Sequence, residues 1–139
     1  MRSLKKISIT ATLLGVLLAG TGSMPLAQQR DRTTELDRRM EELYIAGRYA
    51  EAIPIAQRLL ALSEKTRGRN HPDVAQSLSN LAVLYEAQGR YADAKPLHKR
   101  SLAILEKARG RDHLDVAKTL NNLAALYVHQ SRHADAKPL

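Results

Sequence analysis

Four of the five histidines in this 139-residue chain stand where they could do chemistry, and each arrangement can be tested against what that chemistry needs. His129 and His133 are four residues apart, a spacing that on one unbroken helix would turn two imidazoles toward a zinc ion. Gln130, Ser131 and Arg132, however, fall where a turn between two helices is expected, and no carboxylate at ligand spacing completes the set. His71 and His113 each precede an expected helix start, where capping and turn geometry account for them. Ser and His residues lack the spaced acid partner of a triad. The loops Arg67-Gly68-Arg69 and Arg109-Gly110-Arg111 lack the strand and the lysine of a phosphate-binding loop. Cysteine is absent, which excludes a disulfide framework and any thiolate metal or redox site. The residue inventory therefore argues against an enzyme, no cofactor is expected, and function should lie in binding.

The elements that would present a binding surface are set by a 42-residue repeat. His71 to Leu97 (HPDVAQSLSNLAVLYEAQGRYADAKPL) matches His113 to Leu139 (HLDVAKTLNNLAALYVHQSRHADAKPL) at eighteen of 27 positions. Tyr49 to Arg69 and Tyr91 to Arg111 keep the same spacing, so an earlier copy lies upstream with a drifted first helix. Units of this length cannot bury an apolar face alone and must stack on their neighbours. Within each unit Val74, Leu78, Leu81, Ala82 and Tyr85 form one helical stripe, repeated by Val116, Leu120, Leu123, Ala124 and Tyr127. A second helix carries Tyr91, Ala94, Leu97, Ser101, Leu102 and Leu105, with the turn at Gly89 and Arg90. Asn70 and Asp112 are the expected caps of the next first helices.

The fold expected from this pattern is all-α, an α-solenoid of antiparallel helix pairs whose last repeat is truncated. Ala82 and Ala94 should sit where the two helices of a pair cross, and one methyl group at each place lets the backbones approach closely. In the first copy Leu36, Met40, Leu43 and Tyr44 hold the stripe, and LYIAGRY is one residue shorter than LYEAQGRY. The repeats are placed at about 29–70, 71–112 and 113–139, the last incomplete. That incomplete end suggests a fragment of a longer array, or an end covered by a partner or a second copy.

The motifs LNNLAALY, ADAKPL and LAILEKARGRDH, joined by a Gly-Arg-Tyr-like turn, resemble the 42-residue tetratricopeptide repeats of the kinesin light chain type. The resemblance spans nearly everything after residue 27. It implies a right-handed superhelix that binds extended peptides or protein partners in a concave groove lined by the first helices, without catalysis. Polar positions off the core stripe then become the candidate peptide contacts: Gln76, Ser79, Asn80 and Val83 in one copy, Lys118, Asn121, Asn122 and Ala125 in the next. Asn80 and Asn122 matter most, because a carboxamide both donates and accepts and so suits the backbone of any extended peptide. Capping or bridging between repeats is the competing role for these asparagines. Lys118 would favour an acidic residue in the ligand.

Residues 1–27 read as a secretory signal: Arg2, Lys5 and Lys6, then the apolar run Ile7 to Ala19, then small residues. A run of this length is too short to span a membrane, so a periplasmic or secreted protein with no stable membrane span after cleavage is expected. The formal charge of +8 falls to +5 once those three cations are removed, and the remaining charges of both signs are interleaved. No aromatic platform accompanies them, so no nucleic-acid partner is expected, and non-specific anion binding is the weaker alternative. A protein or peptide partner is the main expectation. The alternatives are an N-terminal adaptor part of a larger, enzymatic protein, and self-association through the uncapped end.

Overall fold

A computed structural model describes residues 24–136, with side chains described through residue 133. The described residues form five helices: α1 Leu26–Ile45, α2 Tyr49–Arg67, α3 Pro72–Ala87, α4 Tyr91–Arg109 and α5 Leu114–Ala136. No strand occurs among the described residues. The expected α-solenoid of helix pairs is the observed fold. Most of the expected export signal, residues 1–23, lies outside the described residues, and α1 begins at Leu26, just inside its expected end. None of the described helices is long and apolar enough to cross a membrane. Of the described residues, those up to Thr34 fall in one compact unit and those from Glu35 in another. In the first, Thr33 and Thr34 return their hydroxyls to the carbonyls of Gln29 and Arg30 along the helix. The helix packing belongs to the second.

Turn chemistry explains where the chain reverses. Gly47 and Gly89 lie at φ +71° and +72°, a left-handed conformation that costs a residue with a Cβ but not glycine. The arginine after each glycine, Arg48 or Arg90, then pairs with an acid in the first turn of the next helix, Glu51 at 2.7 Å or Asp93 at 2.8 Å.

At the third copy Ser131 replaces this glycine, and the reversal expected at Gln130 to Arg132 does not occur. Instead α5 runs unbroken to Ala136, and the Ser131 hydroxyl bonds back to the Tyr127 carbonyl at 2.9 Å. Without a residue suited to φ > 0, the helical continuation is the cheaper path. A second correction concerns the caps. His71 and His113, not Asn70 and Asp112, accept from first-turn backbone N–H groups, those of Asp73 and Asp115, each on Nδ1 at 3.1 Å. An imidazole nitrogen two residues back reaches this donor as a carboxylate or amide cap would.

Burial follows the stripes. Val74, Ala75 and Leu78 of α3 meet Ile104 and Leu105 of α4 and Val116 of α5, while Leu43 of α1 joins Ala52, Ile53 and Ala56 of α2 with Leu81 and Leu84 of α3. Ala82 and Ala94 are fully buried together with Leu126, as their small size at the crossing required. The α2 and α4 helices are tied by Arg100, whose guanidinium lies 2.6 Å from Glu64 and donates to the Arg69 carbonyl at 3.1 Å.

Candidate peptide-binding groove

A cavity of about 460 Å³ opens between α1 and α3. Asp37, Met40, Glu41 and Tyr44 line it from α1, spaced so that they share one helical face, and Asn80, Val83 and Leu84 line it from α3. Its floor is apolar, from Met40, Val83, Leu84 and the Tyr44 ring, which also lies 5.6 Å from the Tyr49 ring. Its polar groups are two carboxylates on one wall and a carboxamide on the other. Gln76 donates from Nε2 to Asn80 Oδ1 at 2.9 Å, which holds the Asn80 amide in place and leaves its Nδ2 hydrogens to donate.

The electrostatics of α1 separate two kinds of acid. Glu35 and Glu42 are both bonded to Arg38, and the hydrogen bond from that guanidinium, with its charge, holds Glu35 below its ordinary pKa. Asp37 is pushed above its ordinary value by partial burial. Among the described residues neither Asp37 nor Glu41 belongs to an ion pair, so the cavity wall carries uncompensated negative charge.

Of the positions read from the sequence, Asn80 and Val83 line this cavity and Gln76 supports Asn80 from the rim. Ser79 turns inward instead. Its hydroxyl is 3.0 Å from that of Ser101, which itself donates to the Ala75 carbonyl at 2.9 Å, so Ser79 serves the α3–α4 interface. Lys118, Asn121, Asn122 and Ala125 are exposed on α5 and are not among the residues lining this cavity. The two carboxylates are not among the positions that the repeat pattern points to. Aligning Leu43-Tyr44 with Leu84-Tyr85 puts Asp37 at the place of Leu78 and Glu41 at that of Ala82, both fully buried in the middle copy. Acids at two core positions of one copy were the available signal.

A second polar feature also escapes the sequence pattern. His98 is fully buried, with Nε2 2.5 Å from a Glu86 carboxylate oxygen. Its Nδ1 has no hydrogen-bond partner. With the hydrogen on Nε2 no buried N–H is left unpaired, and only a lone pair faces the apolar surroundings. His129 and His133, placed on one helix by the unbroken α5, pack on Tyr91 with ring centroids 6.2 and 6.0 Å away. No group of three or more metal-ligating side chains occurs among the described residues.

Stacked helix pairs with a groove between successive first helices define the class. The chain belongs to the tetratricopeptide repeat family: the tetratricopeptide repeat model of that family matches residues 43–107 and 78–139. Such repeats are in general protein–protein interaction modules. Among solved structures it is similar to BtubC (BKLC) from P. vanneervenii, at 21% identity and a TM-score of 0.64, over 70% of this chain and 39% of that one. The chain thus spans well under half of the solved protein it matches, and the likeness is one of fold. No curated protein sequence matches it significantly.

Proposed function

We propose that this protein is an exported tetratricopeptide array of the kinesin light chain type that captures an extended peptide segment of a partner protein, acting by binding and not by catalysis. The observation that carries the reading is the α1–α3 cavity, whose apolar floor and braced Asn80 amide offer what an extended peptide needs. Apolar side chains fill the floor, and the amide bonds to the main chain whatever the sequence. The test is a peptide-array screen with the purified chain, followed by titration of the hits against Asn80→Ala. Removing the amide should weaken binding by about 1–2 kcal/mol, the usual cost of losing one buried hydrogen-bond partner, with the helical circular dichroism unchanged. Hits that bind the variant equally well would remove Asn80 from the site; no hits at all would remove the groove. Export rests on the charged and apolar start of the chain, and intact-mass measurement of protein from the cell envelope or medium, lacking Met1 to about Ala27, checks it.

A second reading, in which the array is the adaptor part of a larger protein, is favoured by α5, where Leu114, Leu120, Tyr127 and Val128 are exposed along the helix. An array with a further helix packed there would bury them.

A further inference from the structure

The α1–α3 groove carries information about its ligand beyond the fact that it is apolar. Resting on the peptide-binding reading above, we propose that it selects a segment in which a lysine or arginine follows or precedes a large apolar residue. The basic side chain would lie between Asp37 and Glu41, and the apolar one over Met40, Tyr44, Val83 and Leu84.

Three observations support this. First, the two carboxylates are one helical turn apart on the wall of the cavity, and among the described residues neither has a cationic partner. The neighbouring acids on the same helix do: Glu35 and Glu42 both bond Arg38. The acids facing the cavity are thus the ones left uncompensated. Second, partial burial raises the pKa of Asp37, a shift that a nearby cation would oppose by favouring the charged form. Third, these carboxylates occupy the places of Leu78 and Ala82, which in the middle copy are buried in the core. A chain that keeps the stripe at Met40 and Leu43 has put charge at the two positions that open onto the cavity. Asn80 completes the recognition from α3, with Oδ1 occupied by Gln76 and Nδ2 free to donate to a ligand carbonyl.

The requirement runs opposite to the one read from Lys118, which would favour an acidic ligand. Lys118 is exposed on α5 and does not line the groove. The site that the packing creates is acidic although the chain as a whole is basic.

The test uses the full chain and fluorescein-labelled decapeptides in anisotropy titrations at low salt. One peptide contains Leu-Arg at its centre, one Leu-Glu, and one Leu-Gln, on an otherwise identical Ser/Ala background. Binding of the Leu-Arg peptide about 10-fold tighter than Leu-Gln, with Leu-Glu weakest, is expected, and the preference should shrink at high salt. The double variant Asp37→Asn/Glu41→Gln keeps the shape of both side chains and removes their charge. It should abolish the preference, so that the Leu-Arg peptide binds no tighter than the Leu-Gln peptide, with the same circular dichroism and unfolding midpoint as wild type. Equal binding of all three peptides would overturn the basic-ligand inference and leave peptide capture standing. Preference for Leu-Glu would overturn it in favour of Lys118. If none of the three binds, both the inference and the peptide-binding reading fail.

Discussion

Leu78 and Leu120 hold the same place in two copies of one repeat, yet the first is fully buried and the second is 47% exposed. The same holds for Tyr85, partly buried, and Tyr127, 42% exposed. The local sequences are close to identical, so the difference comes from the neighbours. The α3 helix is covered by α1 and α2 on one side and by α4 and α5 on the other, whereas among the described residues α5 has packing partners only on the side of α3 and α4. Within the second compact unit, stability is therefore a property of interfaces between elements, as the one-dimensional logic of repeats requires. The largest test of this contrast is a pair of truncations. Leu78→Ala should cost about 2–5 kcal/mol, the range for a buried leucine, while Leu120→Ala should cost under about 1 kcal/mol. Urea unfolding of both variants measures the two, and equal costs would mean that α5 is covered in solution.

The buried pair in the middle copy sharpens the comparison from the polar side. Glu86 and His98 correspond to Ile45, which is exposed, and Ala56, which is buried, in the first copy, so the middle copy has a hydrogen-bonded pair where the first has two apolar residues. Glu86→Ala removes the acceptor and leaves a fully buried imidazole N–H unpaired. A loss of about 1–3 kcal/mol at neutral pH is expected. The double variant Glu86→Ile/His98→Ala, which restores the first-copy pair, should recover much of that loss. Thermal unfolding of the two variants decides whether the pair is a cost that must be satisfied or a replaceable detail.

How far these features are legible in the sequence depends on whether they arise within a helix or between helices. Helix pairs, the crossing alanines and the stripes are readable because period and residue size repeat every 42 residues. The histidine caps can be placed only as lying before helix starts, since the donor reached by Nδ1 depends on loop geometry at Gly68 and Gly110. A turn at Gln130 to Arg132 is what the repeat implies, but its glycine has changed there, and the backbone obeys the residue and not the period. The groove carboxylates show in the sequence only as acids at two core positions, and their cavity, like the His98–Glu86 pair, stays hidden because it depends on two helices coming together. Periodicity speaks only of one helix at a time. Asn80 and Gln76 are both reached through the resemblance, whereas the hydrogen bond between them comes from the structure.

Caps give a smaller contrast between the same two regions. His71→Ala and His113→Ala each remove one side-chain acceptor from a helix start, worth about 0.5–2 kcal/mol. Because α3 is packed on both sides, the loss at His71 should lower the global unfolding midpoint. The loss at His113 should instead appear as faster amide exchange confined to α5, which is the less covered helix. Exchange that rises across α3 and α4 as well would show that α5 does not open on its own.

Ser131 provides the smallest effect and the most direct test of why the third copy departs from the second. If the chain fails to reverse at 131 only because serine is poorly suited to φ > 0, then Ser131→Gly should let the Gly89-type turn form and bring the segment after it back along α5. Against this stands the continuity of α5, which runs unbroken through residue 131 to Ala136. Glycine at an interior helix position costs roughly 0.5–1 kcal/mol relative to alanine, and the Ser131 hydroxyl bond to Tyr127 is lost as well. The second effect should prevail, so Ser131→Gly is expected to lower stability by a few tenths to about 1 kcal/mol, with a small loss of helical ellipticity. A gain in stability, accompanied by a loss of Tyr127 exposure to solvent in an accessibility measurement, would show that the missing glycine alone keeps the third helix pair from closing.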